Sequence, residues 1–396
     1  MRNRLGSYLM CCIVSGLMCG WAGGARSEPS DQGTHSPPEV TTRETGLQSE
    51  PADHNVEARP ELQEPESLSS ERIDQDQGLR SQPAAHTARI FKHLDFGVTG
   101  WFSQGQSVWS HNASNLDPNL GDPTSRLKYK DVGTNVLELN GKLQFNNRVF
   151  VRGSFGFSDI GGGRLTDDDY LSAQGAAAFN AGVSGAHRFS RTFSDLGGNN
   201  RTDMWYLTAE LGLLTHEFQN NKGFVNLFVG FQYWREKQVA RGVRQVECTT
   251  SVLCDPPNTT GFNGEPVITN RLQWYSARLG TDVEYQITPR VSVDAKLVFL
   301  LSRMHNEDIH NLRTDLAQNP SFKMSGAGVG TNADVNVKVM LLQGLYLSGG
   351  YRVWFNSVLW DKDWMIYGAN GTSATAPLNE FYTLRHGPTV SLSYVF

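Results

Sequence analysis

The chain has 396 residues, a net charge of −5, 19% charged and 10% aromatic residues, and 40 glycines. A mean hydropathy of −0.40 excludes a polytopic helical membrane protein, and with no strongly basic segment nucleic acid is excluded as a partner. Five cysteines are too few for a disulfide scaffold and lack zinc-ribbon spacing, whereas abundant glycine and aromatics with low charge point to an all-β protein.

In chain order, residues 1–25 read as an export signal. Arg2 and Arg4 form a positive start, Tyr8 to Met18 a short apolar run, and Ala22, Gly23, Gly24 and Ala25 a cleavage site. The run is too short for a transmembrane anchor, and Gly16-Leu17-Met18 before Cys19 makes a poor lipidation signal. Residues 26–89 hold seven prolines and thirteen acids against six arginines, with no lysine and no aromatic residue. Such a segment cannot bury enough apolar surface to offset its chain entropy, so it reads as a disordered periplasmic tether or a tolerated extension.

Residues 90–396 carry the fold. From about residue 94 the pattern has period two. Val225, Leu227, Val229, Phe231 and Tyr233 alternate with Asn226, Gly230 and Gln232. Tyr275, Ala277, Leu279, Val283 and Tyr285 oppose Arg278, Asp282 and Glu284. In 291–301 the odd positions are apolar, and the chain ends on an amphipathic segment closing with Tyr394-Val395-Phe396. Polar turns fall at Asn146-Asn147, Asn220-Asn221-Lys222, Thr288-Pro289 and Gln343-Gly344. Long Gly, Asn and Pro-rich stretches fall at about 110–124, 159–201, 238–268, 304–325 and 357–381.

Four short turns alternating with five long loops predict a ten-stranded antiparallel transmembrane β-barrel with both termini periplasmic and the loops extracellular. In lipid every backbone N–H and C=O needs a partner, which a closed barrel supplies. Several strands exceed the roughly ten residues that cross a bilayer, so the barrel is expected to project above it. A soluble sandwich is the alternative. The tryptophans, Trp354, Trp360 and Trp364 among them, read as girdle or rim residues.

Two acidic clusters stand at the extracellular rim. One is Gly161-Gly162-Gly163-Arg164-Leu165-Thr166-Asp167-Asp168-Asp169-Tyr170, and the other is Met304-His305-Asn306-Glu307-Asp308-Ile309-His310. Alternation groups Asp167 with Asp169 and Asp308 with His310. The even residues of the 291–301 strand face the lumen, so Asp308 and His310 point into the barrel mouth if the strand continues. Asp167 has the wrong parity unless the triple glycine inserts a bulge. Paired carboxylates share a proton, and a histidine beside an aspartate can act as a general base. Together they can activate water against a peptide carbonyl. A solvated or cation-binding acidic loop and a metal site from His305, Asp308 and His310 remain open readings. Cys248 and Cys254 flank five residues of one exported loop, and a disulfide between them is expected.

From about residue 94 to 396 the chain resembles the omptins, ten-stranded outer-membrane proteases of Gram-negative bacteria. The likeness rests on Glu138-Leu139-Asn140-Gly141-Lys142 through Ser158, on Thr166-Asp167-Asp168-Asp169-Tyr170, on the stretch 270–300, on Asp308-Ile309-His310, and on the terminal Val-Ser-Leu-Ser-Tyr-Val-Phe. It implies an Asp167/Asp169 pair and a dyad with Asp308 as orienter and His310 as base, acting on water between them outside the cell. It implies no cofactor, a requirement for lipopolysaccharide held by outer-wall residues such as Arg235, Arg271 and Lys323, and a monomer cleaving peptides or proteins. A rim arginine also snorkels in the absence of any ligand. The two acids that bind a basic P1 side chain in that family are missing: Gln106 or Ser107 and Asn306 stand there, with Glu307 or Asp168 as possible substitutes among the substrate-binding positions. Two other functions fit a barrel of this kind, a noncatalytic adhesin or structural protein and a small pore, although ten strands leave a lumen largely filled by side chains.

Overall fold

The computed structural model describes residues 93–145, 148–181, 188–197, 202–218 and 222–396. The expected signal peptide, the acidic segment 26–89, and the turn residues Asn146, Asn147, Asn220 and Asn221 lie outside the described residues. Eleven strands follow in order: β1 His93–His111, β2 Leu120–Gln144, β3 Val149–Leu171, β4 Arg188–Leu196, β5 Asp203–Glu217, β6 Gly223–Cys248, β7 Thr260–Thr288, β8 Val291–His310, β9 Phe322–Leu342, β10 Leu345–Tyr367 and β11 Ser373–Val395. One short helix, α1 Ala173–Ala178, follows β3.

Neighbouring strands pair antiparallel, and β1 pairs with both β2 and β11, closing the sheet. Between β3 and β6, β5 fills the periplasmic part of the gap and β4 the extracellular part. Those two strands share one stave, so the barrel has the ten staves expected. Among the described residues no helix is long and apolar enough to cross a membrane.

Alternation sets the two faces. On β8, Leu297, Phe299 and Leu301 are exposed on the outer wall while Val298 and Leu300 are buried. On β6, Leu227, Val229 and Phe231 point out and Asn226, Phe228 and Gln232 point in. An apolar outer band is what a lipid-embedded barrel requires. At its upper edge the outer-wall rings Trp205, Tyr233 and Tyr275 meet with centroids 4.7 and 5.0 Å apart, as an aromatic girdle does.

The lumen is filled. Arg152, Arg278 and Lys296 converge on Glu210 at 2.6, 2.9 and 2.8 Å. Arg352 pairs with Glu138 and Asp334 at 2.8 and 2.7 Å, and Arg385 with Glu236 at 2.7 Å. Buried charges persist only when paired in this way. Trp101, Tyr206 and Trp234 pack around Trp354 at 5.1, 4.6 and 5.7 Å, so Trp354 belongs to this interior layer and not to the girdle.

Above the apolar band the strands continue. The stretches read as loops from 159, 238, 304 and 357 begin as strand: β3 runs to Leu171, β6 to Cys248, β8 to His310 and β10 to Tyr367. Their backbone groups go on pairing beyond the membrane, and turn-forming residues are accommodated as bulges. Asp131 on β2, Gly163 on β3 and Gly242 on β6 have φ of 53°, 140° and 63°, each beside a register shift. At these bulges the inward parity switches. On β3 it passes from Phe150 and Ile160 to Leu165, and on β2 from Val136 and Val132 to Tyr129 and Leu127. A Cβ on Gly163 would stand 2.8 Å from the Lys130 carbonyl oxygen, so the bulge needs glycine there. The expected disulfide joins Cys248 to Cys254 at the top of β6.

Candidate active site

Asp167 and Asp169 sit on β3 just past the Gly161–Gly163 bulge, which turns them inward. Together with His310 from β8 they line one cavity of about 230 Å³ in the barrel mouth. The two segments come from distant parts of the ring. The β4/β5 stave, β6 and β7 separate them on one side, and β2, β1, β11, β10 and β9 on the other. They face each other across the narrow lumen. Asp308 lies deeper on the face of β8 that carries His310 and is fully buried. The regular register of β8 against β7 and β9 carries the even parity of the membrane segment up to both residues.

On the β3 side, Ser125 of β2 donates to Asp167 Oδ1 at 2.9 Å. Asp168 faces the other way, where Arg191 grips both its oxygens at 2.5 and 2.8 Å and Arg188 stands 3.7 Å off. The three consecutive aspartates are thus divided, two inward and one outward and neutralised. On the β8 side, Asn270 of β7 donates to Asp308 Oδ1 at 2.6 Å and to Asn306 Oδ1 at 2.8 Å. The His310 backbone N–H donates to Ser321 Oγ at 3.0 Å, and its ring meets Phe322 edge-on with centroids 4.6 Å apart. The contact expected between Asp308 and His310 is not made. Asp308 Oδ2 and His310 Nε2 are both buried without a hydrogen-bond partner among the described residues.

Burial dominates the electrostatics. It pushes Asp167 up to about 7 against the Ser125 hydrogen bond, with the Asp168 charge adding to the rise. Asp169 is raised further by burial and by the Asp167 charge. Asp308 is likewise pushed up to about 7, with Asn270 opposing and Asp167 adding. Burial and then Arg313 lower His310 to about 3, so its imidazole is neutral at physiological pH. The carboxylates therefore hold protons into the neutral range, in the company of an uncharged acceptor nitrogen.

Other candidates are placed differently. Glu307 alternates onto the outer wall, 3.8 Å from Arg271 and 3.4 Å from His305, so it does not join the cavity as a substrate-binding residue. His305 shares that face, so His305, Asp308 and His310 do not converge as metal ligands. Asn306 is buried and engaged with Asn270, and Ser107 is buried beside Thr383 at 3.5 Å. Arg235 and Arg271 lie outside the barrel just above the apolar band; Arg235 pairs with Asp203 at 3.1 Å. Arg271 registers with Glu307, and Glu307 with Lys323. Arg303, His305, Lys323 and Tyr275 border a hollow in the same strip.

Ser125, Asn270, Trp109, His111 and Phe322 are absent from the sequence reading, and Trp364, expected at the girdle or rim, is instead 2% exposed in the cavity wall with Trp109, His111 and Phe322. Asn270 lies on the inward parity of its strand, a signal that could have found it. The aromatic residues come from segments read as loops and rim, where no parity was assigned.

A closed barrel with an apolar outer band and a polar, plugged lumen defines an outer-membrane β-barrel protein. Residues 102–396 match the family described as "Pom: Protochlamydia outer membrane protein", and the chain belongs to that family. Among solved structures it is similar to the outer membrane protease OmpT from Escherichia coli, at TM-score 0.61 and 12% identity over 77% of this chain and 98% of that one. At that identity the likeness is one of fold. It also matches the translocator domain of the autotransporter NalP from Neisseria meningitidis (TM-score 0.31, 10% identity, 76% and 88% covered) and a Pseudomonas aeruginosa FadL homologue (TM-score 0.27, 8% identity, 76% and 90% covered). No curated protein matches the chain.

Proposed function

We propose that the protein is an outer-membrane endopeptidase whose active face is extracellular, with Asp167, Asp169, Asp308 and His310 acting on water. The observation that carries this reading is the shared cavity: an inward acid pair and an imidazole, from segments far apart in sequence, line the same 230 Å³ space. In this mechanism the Asp167/Asp169 pair, sharing a proton, holds a water molecule in line with the scissile carbonyl. His310 takes a proton as the water oxygen bonds to the carbonyl carbon. The proton then passes to the departing amine as the C–N bond breaks. Asp308, once ionised, favours the transient imidazolium in the water-poor site. Lipopolysaccharide phosphates are held on the outer wall by the strip containing Arg235, Arg271 and Lys323.

The unpartnered Asp308 Oδ2 and His310 Nε2 favour a second reading, a noncatalytic barrel that binds a ligand at its mouth. One experiment separates the two. The full chain, refolded with lipopolysaccharide, is offered a library of internally quenched peptides. Turnover is expected, falling at least about a hundredfold in Asp167→Asn and His310→Ala with heat-modifiable mobility unchanged. No turnover by the parent leaves the binding barrel, and equal turnover in the variants removes Asp167 and His310 from the chemistry.

A further inference from the structure

We infer that the cavity beside the acid pair is a subsite for a neutral aromatic side chain, so that the preferred peptides carry Tyr, Phe or Trp next to the cleaved bond and not Arg or Lys. This rests on the endopeptidase reading and narrows it to a substrate class.

One wall of the cavity is a continuous run of rings. From His310 it passes to Phe322, then to Trp364, stacked on Phe322 at 5.2 Å. Trp364 stacks nearly parallel on His111 at 4.0 Å, and His111 leans on Trp109 at 5.9 Å. The wall thus begins at the imidazole assigned to the chemistry and leads away from it, where the side chain next to a scissile bond would lie. Leu127, Leu165, Val267 and Ile366 close other sides. An apolar cavity of about 150 Å³ takes a benzene ring, so 230 Å³ holds an aromatic side chain with room for part of its backbone.

The polar atoms of this wall point to the same ligand. Trp109, Trp364 and His111 are 2%, 2% and 6% exposed, yet Trp109 Nε1, Trp364 Nε1 and His111 Nδ1 have no hydrogen-bond partner among the described residues. The two indole N–H groups are buried donors, which are costly unless an acceptor arrives. An indole N–H can only donate, so the ligand must offer oxygen, either the phenol of a tyrosine or the carbonyl beside the ring.

A basic side chain finds no such reception. The inward positions below the cavity are Asn306 and Ser107, and the Asn306 oxygen is already engaged by Asn270. The nearest cavity-lining cation, Arg313, is itself bonded to Asp315 and adds positive charge. A lysine reaching back to Asp167 or Asp169 would occupy the groups the reaction needs. A buried ammonium without a dedicated partner is strongly disfavoured.

The test is a binding and cleavage comparison of two peptides differing only in Tyr against Arg at one position. In full-chain Asp167→Asn, where hydrolysis is blocked, the Tyr peptide is expected to bind at least about tenfold tighter by calorimetry. Adding Trp364→Leu should erase most of that preference, with His111→Leu on the same stack as the second variant if the first fails to fold. Asn306→Asp should move the preference toward Arg. Equal binding, tighter binding of the Arg peptide, or binding of neither overturns the inference. Parent protein that cleaves only the Arg peptide keeps the endopeptidase and removes the aromatic subsite. A Tyr preference in binding with no cleavage of either peptide keeps the subsite and removes the endopeptidase.

Discussion

Asn270 donates a 2.6 Å hydrogen bond to Asp308 across the β7–β8 ladder, and the other oxygen of that carboxylate has no partner among the described residues. The bond opposes the burial that pushes Asp308 up to about 7. Its effect is to draw the ionisation of the carboxylate back toward lower pH.

Removing that donor should therefore move the pH dependence. In Asn270→Leu, Asp308 rises further, so the pH at which kcat/KM reaches half its plateau is expected to shift to higher values. The orphaned carboxylate should also cost about 1–3 kcal/mol of stability. An unchanged pH profile in the variant would show that Asp308 ionisation does not limit turnover.

Asp167 permits a stability test with a defined sign. Its pKa is raised from the ordinary 3.8 to about 7, so between those values the folded protein binds more protons than the unfolded chain. Stability from this group is full at pH 3 and is lost as pH climbs toward 7. Asp167→Asn lacks the titration, so the variant should gain in melting temperature over the parent from about pH 4 upward, levelling off above about pH 7, while losing cleavage. A gain that is the same at pH 3 and pH 8 would mean that the carboxylate is not buried as described.

The bulge at Gly163 is predicted to control the site's assembly. With φ of 140° and the Lys130 carbonyl oxygen 2.8 Å from any added Cβ, Gly163→Val is strained in both conformation and space. The strain should cost on the order of 1–3 kcal/mol. Relief by slipping β3 by one residue would turn Asp167 and Asp169 outward. Loss of turnover with an intact heat-modifiable barrel is expected. Parent-level activity in this variant would place the catalytic acids elsewhere.

The lumen yields a prediction about the pore alternative. Glu210 collects Arg152, Arg278 and Lys296, so Glu210→Ala takes a partner from the buried Arg278 and from the half-buried Lys296 and Arg152, the last keeping Asp282 at 2.9 Å. The expected loss is about 3–5 kcal/mol, read from urea unfolding in detergent. The parent protein should show baseline conductance in planar bilayers, because this network and the Trp354 layer fill the cross-section. A stable unitary current from the parent would contradict the plugged lumen.

Much of the architecture was legible from alternation. Odd positions of 291–301 facing lipid, the four turn positions and the terminal Tyr394-Val395-Phe396 were enough for ten staves, because a bilayer demands both an apolar outer face and complete backbone pairing. Alternation also grouped Asp308 with His310, since β8 runs without a bulge from the membrane to its end. It paired Asp167 with Asp169 but gave them the wrong side, until the glycine bulge restored it. The length of the upper strands was not legible. Glycine, asparagine and proline mark turns locally, yet the ladders of neighbouring strands hold these stretches extended.

The sequence by itself determined an exported, lipid-facing cylinder of alternating strands with two acidic segments near its outer rim, because that pattern is a local, period-two property of each strand. Only the tertiary structure decided that β3 and β8 aim those segments at one cavity, that Glu307 and Asp168 turn away from it, and that Trp109, His111, Phe322 and Trp364 meet in a single wall. Those outcomes depend on bulges, register and ring closure, which couple residues too far apart along the chain for any local pattern to connect.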